Sequence, residues 1–141
     1  MESYKDKTFD FLGFTHYCSS CKSGRFRVKR KTSSKKFRAS LKRVGEWLKE
    51  NRSLPLTILM TKLKMKIAGY FRYYGITDNS RAIENFRYLV RRLTFKWLNR
   101  RSQRKSYTWL RFDKMFRYFE VPEAKIHVNI FELKKEITYI L

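Results

Sequence analysis

Apolar residues recur every three or four positions in three successive segments, and this spacing constrains the fold more than any other feature of the chain. At such a spacing the apolar side chains share one face of an α-helix, which must be buried against another surface. The sequence therefore predicts three helices that pack as a bundle. The three series are Phe37, Leu41, Val44, Trp47 and Leu48, then Ile58 or Leu59, Leu63, Ile67, Tyr70, Phe71 and Tyr74, then Ile83, Phe86, Val90, Leu93 and Trp97.

Residues that flank the three segments predict where the helices begin and end. Ser33 or Ser34 provides a hydroxyl that can cap the first helix. Pro55 suits the start of the second helix, because its missing N–H would be unpaired there, and Gly75 is expected to end it. Asp, Asn and Ser at 78–80 are favourable capping residues before the third helix.

The first part of the chain predicts a β-hairpin. An aromatic-rich segment at 8–15 and a segment at 25–29 in which basic and apolar residues alternate are joined by turn residues at 18–24. One face of this hairpin is apolar and the other is cationic. The basic side chains are expected to point together toward solvent or a phosphate backbone, and they are Arg25, Arg27, Lys29 and Lys31.

The last part predicts a small extension. After a basic connector at 100–105, Ser106 is the predicted cap of a shorter helix, and residues 126–130 alternate like a strand. The predicted fold class is mainly α, a three-helix bundle with an N-terminal β-hairpin and a small C-terminal helix and strand extension. We assign 1–31 to the hairpin, 32–105 to the bundle and 106–141 to the extension, a candidate for DNA or RNA contact. The short helix contains Trp109, Phe112, Phe116 and Phe119.

The charge of the chain points to a polyanionic partner. Its 34 Lys and Arg residues outnumber 12 Asp and Glu, which gives a net charge of +22. No acidic residue occurs from Phe11 to Gly45 or from Asn85 to Phe112, and such windows favour phosphate contacts over a merely solubilising surface. No apolar run is long enough to span a membrane and no signal core is present, so we predict no membrane partner and a cytoplasmic location.

Structured RNA is favoured over duplex DNA as the polyanion. The connection at 74–80 is too long and too acidic for the tight turn of a helix-turn-helix, whereas shape-based RNA recognition suits a mixture of Arg, Lys and aromatic residues. Most aromatic residues at helical spacing are expected in the core. Tyr73, Tyr107 and Trp109 lie beside basic residues and are candidates for stacking on an unpaired base or on a guanidinium of a partner.

Cys18 and Cys21 form a CxxC motif with three readings: half of a zinc site, a redox pair, or two ordinary thiols in a turn. Zinc would need two further ligands, and His16 is the only nearby candidate. We favour the turn, with structural zinc next, and predict no cofactor. The sequence also contains no adjacent carboxylates and no glycine-rich phosphate loop, so no catalytic residue is assigned.

Four segments resemble the end of the palm and the maturase, or thumb, domain of bacterial group II intron reverse transcriptases. They are 9–14 (FDFLGF), 25–31 (RFRVKRK), 68–75 (AGYFRYYG) and 95–106 (FKWLNRRSQRKS). The resemblance implies a helical thumb that grips the template–primer duplex, binds intron RNA and assists splicing. It covers only the carboxy-terminal part of such an RNA-directed DNA polymerase, without the fingers or the YxDD carboxylates of the palm. Magnesium is therefore expected only with the palm, and this chain alone is not expected to be an enzyme.

Fourteen residues are predicted to contact RNA. Those from the basic segments are Arg25, Arg27, Lys29, Lys31, Lys35, Lys36, Arg38 and Arg91, and those carried over from the resemblance are Arg72, Tyr73, Arg100, Arg101, Arg104 and Lys105. The predicted partners are intron RNA, an RNA/DNA duplex and the fingers and palm. Two alternatives are a stand-alone basic accessory protein that binds nucleic acid and a protein-interaction module that docks onto an acidic partner.

Overall fold

The computed structural model describes residues 8–20, 23–101 and 106–132. Three strands precede four helices, which confirms a mainly α chain with an N-terminal β unit and a small C-terminal piece. In chain order the elements are β1 (Phe9–Phe11), β2 (Phe14–Ser20), β3 (Phe26–Thr32), α1 (Ser34–Asn51), α2 (Leu56–Tyr74), α3 (Ser80–Asn99) and α4 (Trp109–Tyr118).

The strands form one antiparallel sheet in the order β1-β2-β3, so the predicted hairpin carries one strand more than expected. The chain turns between β1 and β2 at Gly13, whose φ of 86° is a left-handed conformation that glycine adopts without strain. Cys18 was predicted in a turn, but it lies within β2 and pairs with Val28 of β3. Cys21 lies outside the described residues. The turn predicted at 18–24 is therefore wrong at its start, because β2 continues to Ser20.

The core lies between α1, α2, α3 and α4 and contains most of the residues that the apolar spacing predicts. Ser33 caps α1, where its Oγ accepts a hydrogen bond from the Lys36 amide at 3.2 Å. Tyr70 of α2 stacks on Phe86 of α3, with ring centroids 3.5 Å apart. The predicted core residues that are buried are Leu48, Leu59, Leu63, Ile67, Phe71, Ile83, Phe86, Val90, Phe112 and Phe116.

The apolar face of α3 departs from the prediction in its second half. Thr94 and Leu98 are buried there, whereas Leu93 and Trp97 are only half-buried. From Val90 onward the buried positions on α3 are four residues apart. The hydroxyl of the buried Thr94 donates a hydrogen bond to the Val90 carbonyl oxygen at 2.8 Å. A hydrogen-bonded threonine can therefore occupy the core position, which leaves Leu93 and Trp97 on the side of α3 that faces α1.

The C-terminal extension also differs from the prediction. Thr108, not Ser106, caps α4, with its Oγ accepting from the Arg111 amide at 3.3 Å. The strand predicted at 126–130 is absent from the described residues, where only a single parallel bridge joins Val128 to Ile76. Its bridge partner Ile76 lies in the loop between α2 and α3, so no neighbouring strand is present to extend the pairing.

Gly75 ends α2 as predicted, and the C-terminal segment packs directly on its backbone. Its carbonyl oxygen accepts hydrogen bonds from the amides of His127 and Val128, at 2.7 and 2.9 Å. A Cβ at this position would lie 2.7 Å from the Lys125 carbonyl oxygen. Since the φ of Gly75 is −75°, close approach of the backbone rather than a left-handed turn requires glycine here.

A buried asparagine joins the sheet to the helices. Asn79 Oδ1 accepts from the Thr32 amide, and its Nδ2 donates to Thr32 Oγ1 and to the Tyr74 carbonyl oxygen, each at 2.8 Å. The predicted capping residue thus bonds the last residue of β3 and the end of α2, and no hydrogen bond from its side chain caps α3. These contacts set the position of the sheet against the bundle.

Candidate nucleic-acid interface

The basic face of the sheet is only partly directed to solvent. Lys29 and Lys31 remain without a carboxylate partner in the described part of the chain, although Lys29 Nζ donates to the Ser20 carbonyl oxygen at 3.1 Å. Arg27 was expected to point outward with them. Instead its guanidinium makes two hydrogen bonds to Asp78 in the loop between α2 and α3, which neutralises its charge. Arg25 is exposed just before β3.

The opposite face of the sheet is apolar, as predicted, but most of it is exposed. Phe14 is buried at one end, where its ring packs against Tyr73 and Tyr74 of α2. Farther along the sheet, Phe9 and Phe26 are 60% and 64% exposed. Exposed aromatic side chains on one face are typical of a contact with another protein surface, and here His16 and Arg30 lie between them on the same face.

The start of α1 and the end of α2 both contact the β1–β2 turn, and each carries predicted RNA-binding residues. Lys35, Lys36 and Arg38 are exposed on the first turns of α1, and Arg72 is exposed near the end of α2. The chain approaches closely here, because the amide of Ser33 donates to the Gly13 carbonyl oxygen at 2.8 Å. The basic start of α1 therefore lies beside the β1–β2 turn.

Tyr73, predicted to stack on a base, has a structural contact at this place. Its hydroxyl donates to the Leu12 carbonyl oxygen at 2.7 Å, which ties the β1–β2 turn to α2. The ring lies against Phe14 at a centroid distance of 5.9 Å, yet 55% of the residue is exposed. Its hydroxyl is thus engaged, while part of its ring is accessible. Burial raises the pKa of the neighbouring Tyr74 above its ordinary value.

Arg91 is held by its own protein. Its Nε and Nη2 donate to the two carboxylate oxygens of Asp113 in α4, at 2.8 and 2.9 Å. The guanidinium also lies 4.3 Å from the ring centre of Trp109, which stacks on Phe95 at 3.7 Å. Intramolecular partners therefore occupy both the predicted cation Arg91 and the predicted stacking residue Trp109. Tyr107 makes an edge contact with the buried Phe112.

The end of α3 brings together several cations, only one of which the sequence predicted as a site residue. Lys49, Arg52, Lys96 and Arg100 lie 5.0–6.0 Å from the ring centre of Trp97. None of the four makes an ion pair within the described residues. Lys49 and Arg52 were missed because they lie at the end of α1 and just after it, and only the packing of α1 on α3 shows their proximity to Trp97. Arg101 is exposed nearby, whereas Arg104 and Lys105 lie outside the described residues.

The described residues contain no cluster of three or more His, Cys, Asp or Glu side chains. His16 and Cys18 both lie in β2, and His16 stacks on Phe9 at 4.7 Å. Because Cys21 is not described, zinc binding by this motif stays a prediction. No helix in the described ranges is long and apolar enough to cross a membrane.

The comparison with known families matches the helical region. A model of the maturase-specific domain of group II introns matches residues 34–119, which is more than half of the chain. The chain belongs to this family. This maturase-specific domain begins at the first residue of α1 and ends one residue after α4. Searches among curated proteins and among solved structures gave no match.

Membership in this family implies a role in the splicing of group II introns, by a domain that is a non-catalytic part of the proteins that carry it. The match confirms the resemblance seen in the sequence. The cations around Trp97 lie inside the maturase-specific domain, as do the basic start of α1 and the end of α2. The basic face of the sheet precedes it.

Proposed function

We propose that this maturase-specific domain binds structured group II intron RNA through its unpaired basic surface and thereby assists splicing in the bacterial cytoplasm. The observation that carries the proposal is the separation of cations from carboxylates at the end of α3. Within the described residues, ion pairs engage Arg27, Lys42, Arg87 and Arg91, whereas the cations around Trp97 have none. Unpaired cations can each replace the counterions of a phosphate, and the released counterions favour binding.

Contacts of this kind position an RNA without reading its sequence. Lys35, Lys36 and Arg38 on α1 and Arg100 and Arg101 after α3 are exposed and lack a carboxylate partner in the described part of the chain. Recognition would therefore depend on the shape of a folded RNA, in which several phosphates face this surface at once. An RNA/DNA duplex, the second predicted ligand, offers a similar phosphate spacing.

We further propose that the apolar face of the sheet packs against the fingers and palm of a reverse transcriptase. Phe9, Phe11, Phe26 and Val28 lie on the same face by strand register, and each is exposed. Burying such residues removes apolar area from water and would join the maturase-specific domain to the unit that performs DNA synthesis with Mg²⁺. A separately supplied fingers and palm polypeptide should therefore bind the wild-type chain and fail to bind a Phe9→Ser, Phe26→Ser variant.

A salt titration of binding to a structured group II intron RNA, compared with an unrelated DNA duplex of equal charge, tests the main proposal. The expected result is tighter binding of the intron RNA at physiological salt and a linear fall of log affinity with log salt. Equal affinity for both ligands would favour the stand-alone accessory protein that binds any nucleic acid. Absence of binding to either would contradict the proposal.

Charge-removal variants identify the surface. Replacement of Arg100 and Arg101 by Gln should reduce the salt slope by roughly 1.5 and weaken RNA binding, because each cation binds about one phosphate. The matched control replaces two exposed cations outside the predicted interface, Lys62 and Arg81, and should change the slope less. If the two double variants behave alike, the basic end of α3 is not the interface. An unchanged slope together with binding of an acidic protein would favour a protein-interaction module.

A further inference from the structure

A groove of about 860 Å³ lies between α1 and α3, and Trp109 of α4 also lines it. Leu41, Gly45 and Lys49 line it from α1 at intervals of four residues, and Leu93 and Trp97 line it from α3. The groove is open to Trp97 because the buried face of α3 turns to Thr94 and Leu98. Pockets of roughly 300–1,000 Å³ accommodate small organic ligands, so the groove is large enough for a nucleotide.

Gly45 helps to keep the groove open. Glycine inside a helix is less favourable than alanine, so its presence in the middle of α1 calls for a reason. A Cβ at Gly45 would meet the Leu93 methyl carbons at 3.8 and 3.9 Å, which is ordinary van der Waals contact. Packing therefore does not require glycine here. A side chain longer than alanine would extend into the groove that Gly45 lines.

The groove combines an apolar floor with a cationic rim. Lys42, Lys49, Arg92 and Lys96 stand along it, and the carboxylate that also lines it, Glu46, is 4.0 Å from Lys42 Nζ. Lys49 and Lys96 lie 6.0 and 5.0 Å from the ring centre of Trp97. A ligand that matches this arrangement has a flat apolar group within a few ångströms of an anionic one.

A nucleotide has this chemistry, since one ribose separates its base from its phosphate. Building on the proposed binding of RNA, we propose that the groove between α1 and α3 holds the base of one unpaired nucleotide beside Leu93 and Trp97, while Lys49 and Lys96 bind its phosphate. Unpaired bases are the parts of a folded RNA that can enter such a pocket, and they commonly stack on aromatic side chains. An acidic amphipathic peptide is the competing ligand.

The test compares a short single-stranded RNA with an abasic oligonucleotide of the same length and charge. The wild-type chain should bind the base-bearing RNA at least about five-fold more tightly. This ratio should persist as salt rises, because contacts to the base do not release counterions. Binding should also quench tryptophan fluorescence, and a Trp97→Phe variant should lose part of that quenching, because Trp109 also lines the groove.

Two glycines provide matched variants. Gly45→Met places a side chain in the groove and should bring the ratio of the two affinities close to one. Gly69→Met makes the same substitution in α2, where Gly69 is exposed and a Cβ would meet nothing within 4 Å, and should leave the ratio unchanged. Thermal unfolding shows whether each variant is folded. Gly45→Ala, which has better helix propensity and little bulk, should fold and reduce the ratio less than Gly45→Met.

Equal affinity of the wild-type chain for the two oligonucleotides would overturn the proposal, and so would equal ratios for Gly45→Met and Gly69→Met. Displacement of the RNA base by an acidic amphipathic peptide that binds more tightly would assign the groove to a protein partner. Intron RNA binding, measured on the same samples, separates the two proposals. If intron RNA still binds while the ratio is one, only the nucleotide groove is wrong, whereas loss of both contradicts RNA binding as well.

Discussion

The two sides of α3 carry the same kinds of cation in opposite electrostatic settings. On the side that faces α4, Arg91 binds Asp113, and Arg87 Nε donates to the Pro122 carbonyl oxygen at 2.7 Å. On the side that faces α1, Lys96 and Arg100 surround Trp97 with no carboxylate partner among the described residues. Sequence position alone does not distinguish the two sets, because both fall in one acid-free window.

The difference shows that only part of the positive charge is available for phosphate. Arg87 and Arg91 hold α4 and the segment after it against the bundle. Their guanidinium groups are therefore engaged by other parts of the same chain. The cations near Trp97 repel one another in the free protein and gain most from an added polyanion. The first side should therefore respond to mutation through stability and the second through RNA affinity.

The largest expected effect is on the side that faces α1. Replacing Lys49, Arg52, Lys96 and Arg100 together by Gln should weaken intron RNA binding on the order of a hundred-fold and reduce the salt slope by about three. The free energy of unfolding should change little, because the removal of mutual repulsion offsets the loss of the contacts with the Trp97 ring. Filter binding over a salt series and chemical denaturation measure the two quantities. A drop in stability with an unchanged slope would show that these cations are structural.

The next effect concerns the side that faces α4. Arg91→Gln should lower the free energy of unfolding by roughly 2 kcal/mol, because a half-buried carboxylate loses a two-point hydrogen-bonded partner. Asp113→Asn should cost a similar amount, and the double variant less than the sum, since the two residues form one interaction. Urea denaturation of the four proteins measures this coupling. The RNA affinity of the folded variants should remain within about two-fold of that of the wild-type chain. A larger loss for Arg91→Gln alone would show that Arg91 contacts the RNA.

The helices could be predicted from the sequence because apolar spacing and capping residues are local signals. Ser33, Pro55 and Gly75 mark ends that the structure confirms. The second half of α3 could not be predicted, because the choice between Leu93 and Thr94 for the core depends on how α1 and α4 pack around the helix. Similarly, the strand predicted at 126–130 has the right alternation, but a strand also needs a neighbour, which sequence spacing does not reveal.

The candidate interface was less predictable than the fold, for an electrostatic reason. The acid-free windows identify a basic chain, but a single carboxylate from another segment is enough to neutralise an arginine. Arg27 is paired with Asp78, 51 positions away, and Arg91 with Asp113, 22 positions away. The cluster around Trp97 is likewise formed by the ends of α1 and α3 together, so the sequence gives no sign that Lys49 and Arg52 belong to it.

A smaller effect is expected where the sheet meets the helices. Asp78→Asn weakens the bond that holds Arg27 and should lower the free energy of unfolding by about 1 kcal/mol. It also removes the negative charge beside Arg27, so RNA binding should become slightly more salt-dependent. Denaturation and the salt series measure both changes. A loss of salt dependence would mean that the pair with Asp78 places Arg27 for RNA contact, in the way the basic face of the sheet was first predicted to act.

The smallest expected effect is a gain in RNA affinity on the side of α3 that faces α1, whereas the variants above lose affinity or stability. Glu46→Gln removes a carboxylate from the groove between α1 and α3 and breaks an exposed ion pair with Lys42. Exposed pairs of this kind contribute less than about 0.5 kcal/mol, so the stability should hardly change. RNA affinity should nevertheless rise by roughly two- to five-fold, because Glu46 no longer competes with phosphate for Lys42.

Glu50→Gln is the matched control, since Glu50 is also exposed on α1 but does not line the groove. Equal gains for the two variants would show a general effect of net charge, whereas a gain confined to Glu46→Gln would place the RNA in the groove itself.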